Sequence, residues 1–257
     1  MDAIDAVILG VVEGLTEFLP VSSTAHLMLA SRLLGVGSLE FTKSFEIAIQ
    51  LGAILAVLAL YGRRFLSDSD TQKKVLTAFV PTAVFGYLFY YFFKTFLLEN
   101  IAISLAALFV GGTAFILFEQ LRKEKTEFTG GPIHSISYPQ AFLIGCFQSI
   151  AMIPGVSRAG ATIIGGLLLG IGRKQIVEFS FLLAVPTIVA AASFDLLKSS
   201  PEFSSRDIGL LATGGAVSFV VALAAMSFLI KFIQTHSFIS FGIYRIVAAI
   251  VFWWILF

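Results

Sequence analysis

The sequence predicts an all-α protein that crosses a membrane several times, built as an inverted-topology repeat in which each half is a re-entrant helical hairpin plus three transmembrane helices. Three observations predict this. The 257 residues are 58% hydrophobic and only 13% charged, with mean hydropathy +0.94, whereas a soluble domain carries about 25% charged residues. Six apolar stretches of roughly 20 residues, each enough to span about 30 Å of hydrocarbon as a helix, fall near 45–62, 75–93, 101–118, 176–197, 208–233 and 238–257. Two further apolar regions, 3–35 and 138–172, are broken near their middles by Pro20 and Pro154. A transmembrane β-barrel does not fit, because barrel strands alternate apolar and polar residues and these stretches are apolar on all faces.

Taken in chain order, the first region carries Asp2 and Asp5 but no basic residue ahead of its apolar run, so it is expected to be kept rather than cleaved as a signal peptide. Proline disfavours helix in the residue before it and lacks a backbone donor. Region 3–35 is therefore expected to form two short helices of about 14 to 17 residues joined by a turn, too short to span separately. Such a re-entrant hairpin is tolerated where protein or a wet cavity shields its broken backbone. Three spans complete the first repeat, 1–120. The charged stretch Glu119 to Glu127 marks a solvated cytoplasmic linker, 121–137, with no function sought in it. The second hairpin, 138–172, and three more spans make up the second repeat, 138–257.

The duplication rests on matched landmarks. Glu13, Glu17, Pro20, Ser22 and Ser23 are followed at an offset of about 134 by Gln148, Met152, Pro154, Ser157 and Arg158, and the spans beginning Glu46-Ile-Ala-Ile-Gln50 and Glu178-Phe-Ser-Phe-Leu182 keep the offset within a few residues. The alternative is chance similarity between apolar stretches. Three spans per copy is an odd number, so the second copy must be inverted, an architecture whose ligand site lies between broken helices. Arg63, Arg64, Lys73, Lys74, Arg122, Lys123, Lys125, Arg173, Lys174 and Lys231 then share one side, against Lys43, Lys94, Lys198 and Arg206 on the other. Basic loops favour the cytoplasm. Both termini and the mouth of the first hairpin are accordingly expected to face outward, with the second hairpin entering from the cytoplasm.

Residues 13–26 place two carboxylates, four hydroxyls and an imidazole inside this apolar chain, and such groups in a bilayer mark a functional site by default. Glu13 and Glu17 are four residues apart, hence on one helical face. Either one takes a proton or a cation sits between them. Oxygen ligands favour Mg²⁺ or Ca²⁺, with substrate phosphate completing the shell; the competing reading is a packing face stabilised by proton sharing. Ser22, Ser23 and Thr24 begin the next short helix, where a hydroxyl is either an N-cap or part of an anion site. His26 follows Ser23 by three residues and could serve it as general base, although a single buried histidine is more often structural.

In the second hairpin, Pro154 to Thr162 puts Arg158 at the turn, between Ser157 and Gly160. Its planar, permanently charged fork suits phosphate. Inside a membrane it must meet an anion: a substrate pyrophosphate, or Glu13 and Glu17 in a plain salt bridge between the hairpins. Gly155 and Gly160 permit close backbone approach. Glu46, Gln50 and Glu178 are expected to line the same cavity, and Asp195 and Arg245 are intramembrane or interfacial charges without an assigned role. The net charge of +1 gives nucleic-acid binding nothing to rest on. Cys146, the only cysteine, excludes an internal disulfide and a cysteine metal site. The 27 phenylalanines are accounted for by core and lipid-facing surface.

At these motifs the chain resembles the bacterial undecaprenyl pyrophosphate phosphatase family, also called the bacitracin-resistance family. Residues 10–27 fit its first signature, Phe45-Glu46 to Gly52 its next segment, and Pro154 to Thr162 its second signature, with similar spacing over essentially the full chain. The resemblance implies removal of the terminal phosphate of undecaprenyl pyrophosphate with a divalent cation, regenerating the lipid carrier for peptidoglycan and other envelope polymers, in the bacterial inner membrane. It further implies metal or pyrophosphate handling by Glu13 and Glu17, a nucleophilic or activating role for Ser23 with His26, and phosphate binding by Arg158. Substrate contacts are expected from Ser22, Thr24, Glu46 and Gln50 in the first repeat and from Gln148, Ser157 and Thr162 in the second. Ala159 stands where the family's second signature usually has serine, which puts only a hydrogen bond from that position in question.

The leading expectation is a metal-dependent phosphoanhydride hydrolase whose partners are a long-chain prenyl pyrophosphate and the bilayer, with a homodimer compatible. Attack by Ser23 and direct attack by water both stay open. The rivals are a transporter or flippase of a prenyl phosphate lipid, since inverted repeats with broken helices also build transporters, and a noncatalytic lipid-binding or scaffold protein.

Overall fold

A computed structural model describes residues 1–92, 100–121, 131, 133–199 and 203–257, with side chains for all of these except 40, 64, 90–92 and 195–199. Asp2 opens the first helix by accepting from Ile4 N at 2.8 Å and Asp5 N at 3.0 Å, while Asp5 Oδ2 accepts from Asp2 N at 2.8 Å. This reciprocal cap starts α1, Ala3–Thr16, and after the turn at Pro20 comes α2, Ser23–Leu33. Then follow α3 (Glu40–Ser67), α4 (Ser69–Phe92) and α5 (Ile101–Leu121). The second half runs through a short 3₁₀ turn at Ile133–Ser135, α6 (Tyr138–Ser149), a second 3₁₀ turn at Ile150–Met152, α7 (Arg158–Leu168), α8 (Arg173–Ser199), α9 (Ser205–Phe232) and α10 (Ile239–Leu256). All regular structure among the described residues is helical. At 11 to 14 residues, α1, α2, α6 and α7 reach about 17 to 21 Å at 1.5 Å per residue, short of a bilayer. The later three fall below the expected 14 to 17 residues because each break consumes several residues, Glu17–Ser22 in one hairpin and Ile150–Ser157 in the other.

The protein is a polytopic all-α membrane protein. Among the described residues five helices are long and apolar enough to cross: Phe41–Arg63, Ile101–Leu121, Arg173–Phe194, Ser205–Phe232 and Ile239–Leu256. The sixth expected span, 75–93, falls on α4 up to Phe92 and ends outside the described residues, as does most of the expected linker, 122–130 and 132. The apolar stretch of α8 is 56% buried and that of α3 44%, against 28–33% for α5, α9 and α10. α3 and α8 are therefore the inner pair, and they pack on each other. Phe179, Phe181, Leu183 and Ala184 of α8 are wholly buried.

Polar contacts sort the helix ends into two groups. At one end Arg206 of α9 reaches Met1 O at 3.4 Å, and Phe203 packs edge-on to Phe41 of α3. At the other, Glu119 at the end of α5 takes Arg173 of α8 at 2.6 Å and Phe238 N, before α10, at 3.1 Å, while Lys74 of α4 donates to His134 O at 2.7 Å.

Each hairpin leans on a long helix of the other half, α1 on α9 and α6 on α4. Both crossings go through glycine. A Cβ on Gly10 would sit 2.6 Å from Gly214 O, and one on Gly145 only 2.0 Å from Ala78 O. Overpacking of this kind costs about 1–3 kcal/mol, so Gly145→Ala and Gly10→Ala are each expected to lower the melting temperature in detergent. Gly209→Ala, whose Cβ would meet nothing within 4 Å, is the matched control. Equal melting of all three variants would mean the helices part at no cost.

Candidate active site

α1 ends in Glu13 and Glu17, whose carboxylates share a face because the helical bond Glu17 N to Glu13 O is kept at 3.0 Å. Beyond Pro20 the backbone turns sharply at Ser22, with φ +73°, the one non-glycine residue with positive φ among the described residues. Holding such a conformation costs about 1–3 kcal/mol, and its effect is to start α2 at Ser23 with the hydroxyl facing back toward α1. Ser23 Oγ donates to Glu17 Oε2 in a short buried bond.

The second hairpin supplies the cation. Arg158 is the first residue of α7, with Ser157 as the N-cap that accepts from Gly160 N at 3.0 Å. Its Nη2 donates to Glu17 Oε1 at 3.2 Å, and its Nη1 to Ser180 O of α8 at 2.9 Å. The guanidinium also lies over the Phe18 ring at 5.9 Å. Its Nε is buried without an acceptor. Glu17 therefore joins the hairpins, taking the nucleophile candidate on one oxygen and the arginine on the other.

Glu13 is fully buried, and neither carboxylate oxygen has a donor. Glu17 stands beside it one helical turn on, and Glu46 and Arg158 act on it electrostatically. Two carboxylates have no hydrogen between them unless one is protonated, so this pair calls for a shared proton or a cation. Unsatisfied buried oxygens beside a second carboxylate fit a hard divalent ion. No set of three or more His, Cys, Asp or Glu is grouped for a metal among the described residues, so any remaining ligands would come from substrate or water.

His26 does not pair with Ser23. Its Nδ1 lies 2.8 Å from Ser22 O and its Nε2 2.7 Å from the Tyr244 hydroxyl, so the expected serine–histidine hydrogen bond is not made, and the hydrogen-bond acceptor of Ser23 Oγ is Glu17. Thr162, fully buried, bonds Arg158 O and Ala159 O at 3.0 Å and Ser180 Oγ at 2.7 Å, tying α7 to α8. Gln148 Nε2 donates to Thr82 at 2.8 Å and Thr187 at 3.1 Å, so its amide is engaged with α4 and α8. Glu46 is half-buried beside Ser31, Gln50 is half-buried, Thr24 is exposed, and Glu178 pairs with Lys174 at 4.0 Å. Ala159 is buried.

Arg245, unassigned by sequence, lies behind both turns. Its Nη1 donates to Pro20 O at 3.1 Å, its Nη2 to Gly155 O at 3.0 Å and Ala107 O at 3.3 Å, and its Nε to Leu108 O at 3.2 Å. Gly155, at φ +90°, admits no side chain, since a Cβ there would fall 2.1 Å from Ser104 O of α5. Ser180 and Tyr244 also contribute, and no motif in the sequence singles them out.

The family model described as bacitracin resistance protein BacA matches residues 6–251. The chain is 50% identical over 253 residues to the undecaprenyl-diphosphatase of Sulfurihydrogenibium sp. (strain YO3AOP1), covering 98% of this chain and 99% of that one. It is 48% identical to the protein so named in Wolinella succinogenes, over 98% and 97% of the two chains, and 45% identical to that of Aquifex aeolicus, over 96% of each.

Proposed function

We propose a function from the premise that this chain belongs to the bacitracin resistance protein BacA family: it is a phosphatase that hydrolyses undecaprenyl pyrophosphate to undecaprenyl phosphate and inorganic phosphate. The observation that carries the site is the single carboxylate of Glu17, which accepts from both Ser23 Oγ and Arg158. A hydroxyl bonded to a carboxylate and set beside a guanidinium is equipped for attack on phosphorus.

In the proposed reaction Arg158 binds the terminal phosphoryl group, and Ser23 Oγ attacks its phosphorus while the hydroxyl proton passes to Glu17. The bond from that phosphorus to the bridging oxygen breaks, and undecaprenyl phosphate leaves with the electron pair. Water then attacks the phosphoserine phosphorus, the bond from Ser23 Oγ to phosphorus breaks, Ser23 Oγ takes back the proton held by Glu17, and phosphate is released. Glu13 and Glu17 would hold a divalent cation, Mg²⁺ or Ca²⁺, whose chemistry there is to offset phosphate charge and polarise phosphoryl oxygens.

The inverted duplication belongs to the same proposal. In its support, the two glycine crossings stand at matching places, Gly10 and Gly145 being 135 residues apart and Ala78 and Gly214 136. The excess of Lys and Arg at the Lys74 and Arg173 end supports a cytoplasmic assignment for that end, and hence an outward-facing first hairpin and outward termini in a bacterial inner membrane.

Purified protein in detergent is expected to release phosphate from a long-chain prenyl pyrophosphate and to stop when a chelator is added. On spheroplasts, a membrane-impermeant chelator added outside is expected to stop it equally. No release from purified protein removes the phosphatase reading, insensitivity to chelator removes the cation, and inhibition only after permeabilisation reverses the orientation.

A further inference from the structure

Both ring nitrogens of His26 are spent, and neither on Ser23, Glu17 or Arg158. Ser22 O can only accept, so Nδ1, 2.8 Å away, carries a hydrogen and donates to it. In the neutral ring Nε2 then accepts from the Tyr244 hydroxyl at 2.7 Å, and the two rings lie nearly parallel, 10° between planes. The imidazole is held at both edges. What it holds in turn is the residue before the nucleophile candidate. Ser22 has φ +73°, a conformation that persists in a residue with a side chain only where its surroundings over-determine it. Its own hydroxyl makes no capping bond to α2, and the helical bond from His26 N to its carbonyl is long at 3.3 Å. The Nδ1 bond is the shorter of the two on that oxygen. On the other flank of the turn Arg245 takes Pro20 O at 3.1 Å. Tyr244 and Arg245 are consecutive in α10, so one segment anchors the turn on both flanks, at Pro20 directly and at Ser22 through His26.

We propose that His26 is a positioning residue for Ser23: by latching the Ser22 carbonyl it keeps the turn in the strained form that points Ser23 Oγ at Glu17. The proposal rests on the phosphatase reading, in which Ser23 gives its proton to Glu17 and asks nothing of the imidazole. The two contacts of the ring can be separated by shape. Asparagine carries its amide nitrogen where histidine carries Nδ1, and glutamine reaches one atom further, to where Nε2 lies. His26→Asn therefore keeps the donor to Ser22 O and gives up Tyr244, whereas His26→Gln keeps a partner for Tyr244 and gives up Ser22 O.

For prenyl pyrophosphate hydrolysis we expect kcat to fall about thirtyfold in His26→Gln, roughly the worth of one buried carbonyl left unpaired, and less than about threefold in His26→Asn. KM should change little in either, because Arg158 keeps its contacts. Packing alone orders the two the other way: asparagine is the smaller side chain and leaves the Tyr244 phenol unpaired, so His26→Asn should melt no higher than His26→Gln. A general base would be lost equally in both. The pH profile of kcat in His26→Asn should superimpose on that of wild type, since no titrating group of the reaction has been removed. A reading independent of turnover is the ¹⁵N spectrum of histidine-labelled protein, with the His26 signal assigned by its loss in His26→Asn; it should show a hydrogen on Nδ1. His26→Asn no more active than His26→Gln, a pH profile altered in His26→Asn, or an Nδ1 without hydrogen would each overturn the latch. If any of these is found while wild type releases phosphate and Glu17→Gln does not, the latch falls and the phosphatase reading stands; a wild type that releases no phosphate takes both.

Discussion

Glu17→Gln is expected to lower kcat by roughly 10³-fold, the middle of the range for removing a general base, and to leave the protein folded. The amide matches the carboxylate in shape, so one oxygen can still accept from Arg158 or from Ser23. It cannot accept from both, as Glu17 does, and its NH₂ would present hydrogens to one of two donors. The proton of Ser23 then has no anion to go to, and the Arg158 guanidinium loses its charged partner in a site where side-chain exposure is only 12% and 7%. Substrate pyrophosphate can restore that charge balance, so KM should change far less than kcat. Steady-state phosphate release and detergent melting curves give both quantities. Ser23→Ala should fall as far, and the double variant no further, because the two act as one unit. Independent, multiplicative losses would mean that Ser23 does not pass its proton to Glu17.

Much of this site could be read from sequence because its signals are local. Pro20 and Pro154 break two apolar runs, the spacing of Glu13 and Glu17 sets a shared helical face, and Arg158 in an apolar stretch demands an anion. The structure brings these together: Arg158 does meet Glu17. What sequence could not show was partnership across distance. His26 and Ser23 are neighbours on one helix, a spacing that permits a relay between them, yet the imidazole is taken by a phenol 218 residues further on. Gln148 looked like the mate of Glu13 in a substrate site, and its amide goes instead to Thr82 and Thr187. Arg245 was unreadable for a different reason. Its acceptors are backbone carbonyls, which every residue has and no motif reports.

That arginine makes the second large prediction. Arg245 is 1% exposed and reaches four carbonyl oxygens, two of them in the turns that carry the reacting groups. Pro20 and Gly155 lie in broken backbone, where helix donors are absent, so their carbonyls depend on this side chain. The surrounding helices are shaped around it: a Cβ on Gly111 of α5 would fall 2.2 Å from Arg245 Nη2, and one on Gly112 2.6 Å from Gly242 O of α10. Arg245→Met fills much of the volume and removes every donor. Leaving buried carbonyls unpaired costs about 1–3 kcal/mol each, so a loss of about 3–5 kcal/mol is expected once the turns relax, a fall in melting temperature on the order of 10 °C. Activity should drop with it even below the melting range, because the turn at Pro20 aims Ser23 and the turn at Gly155 aims Arg158. Arg245→Lys, with one ammonium and three donors, should recover part of the stability but less of the activity, since it cannot bridge both turns and α5 at once. Gly111→Ala should resemble it by displacing the guanidinium without removing it. If Arg245→Met melts and turns over like wild type, the two hairpin turns hold their geometry unaided, and the site owes its shape to the Glu17–Arg158 contact alone.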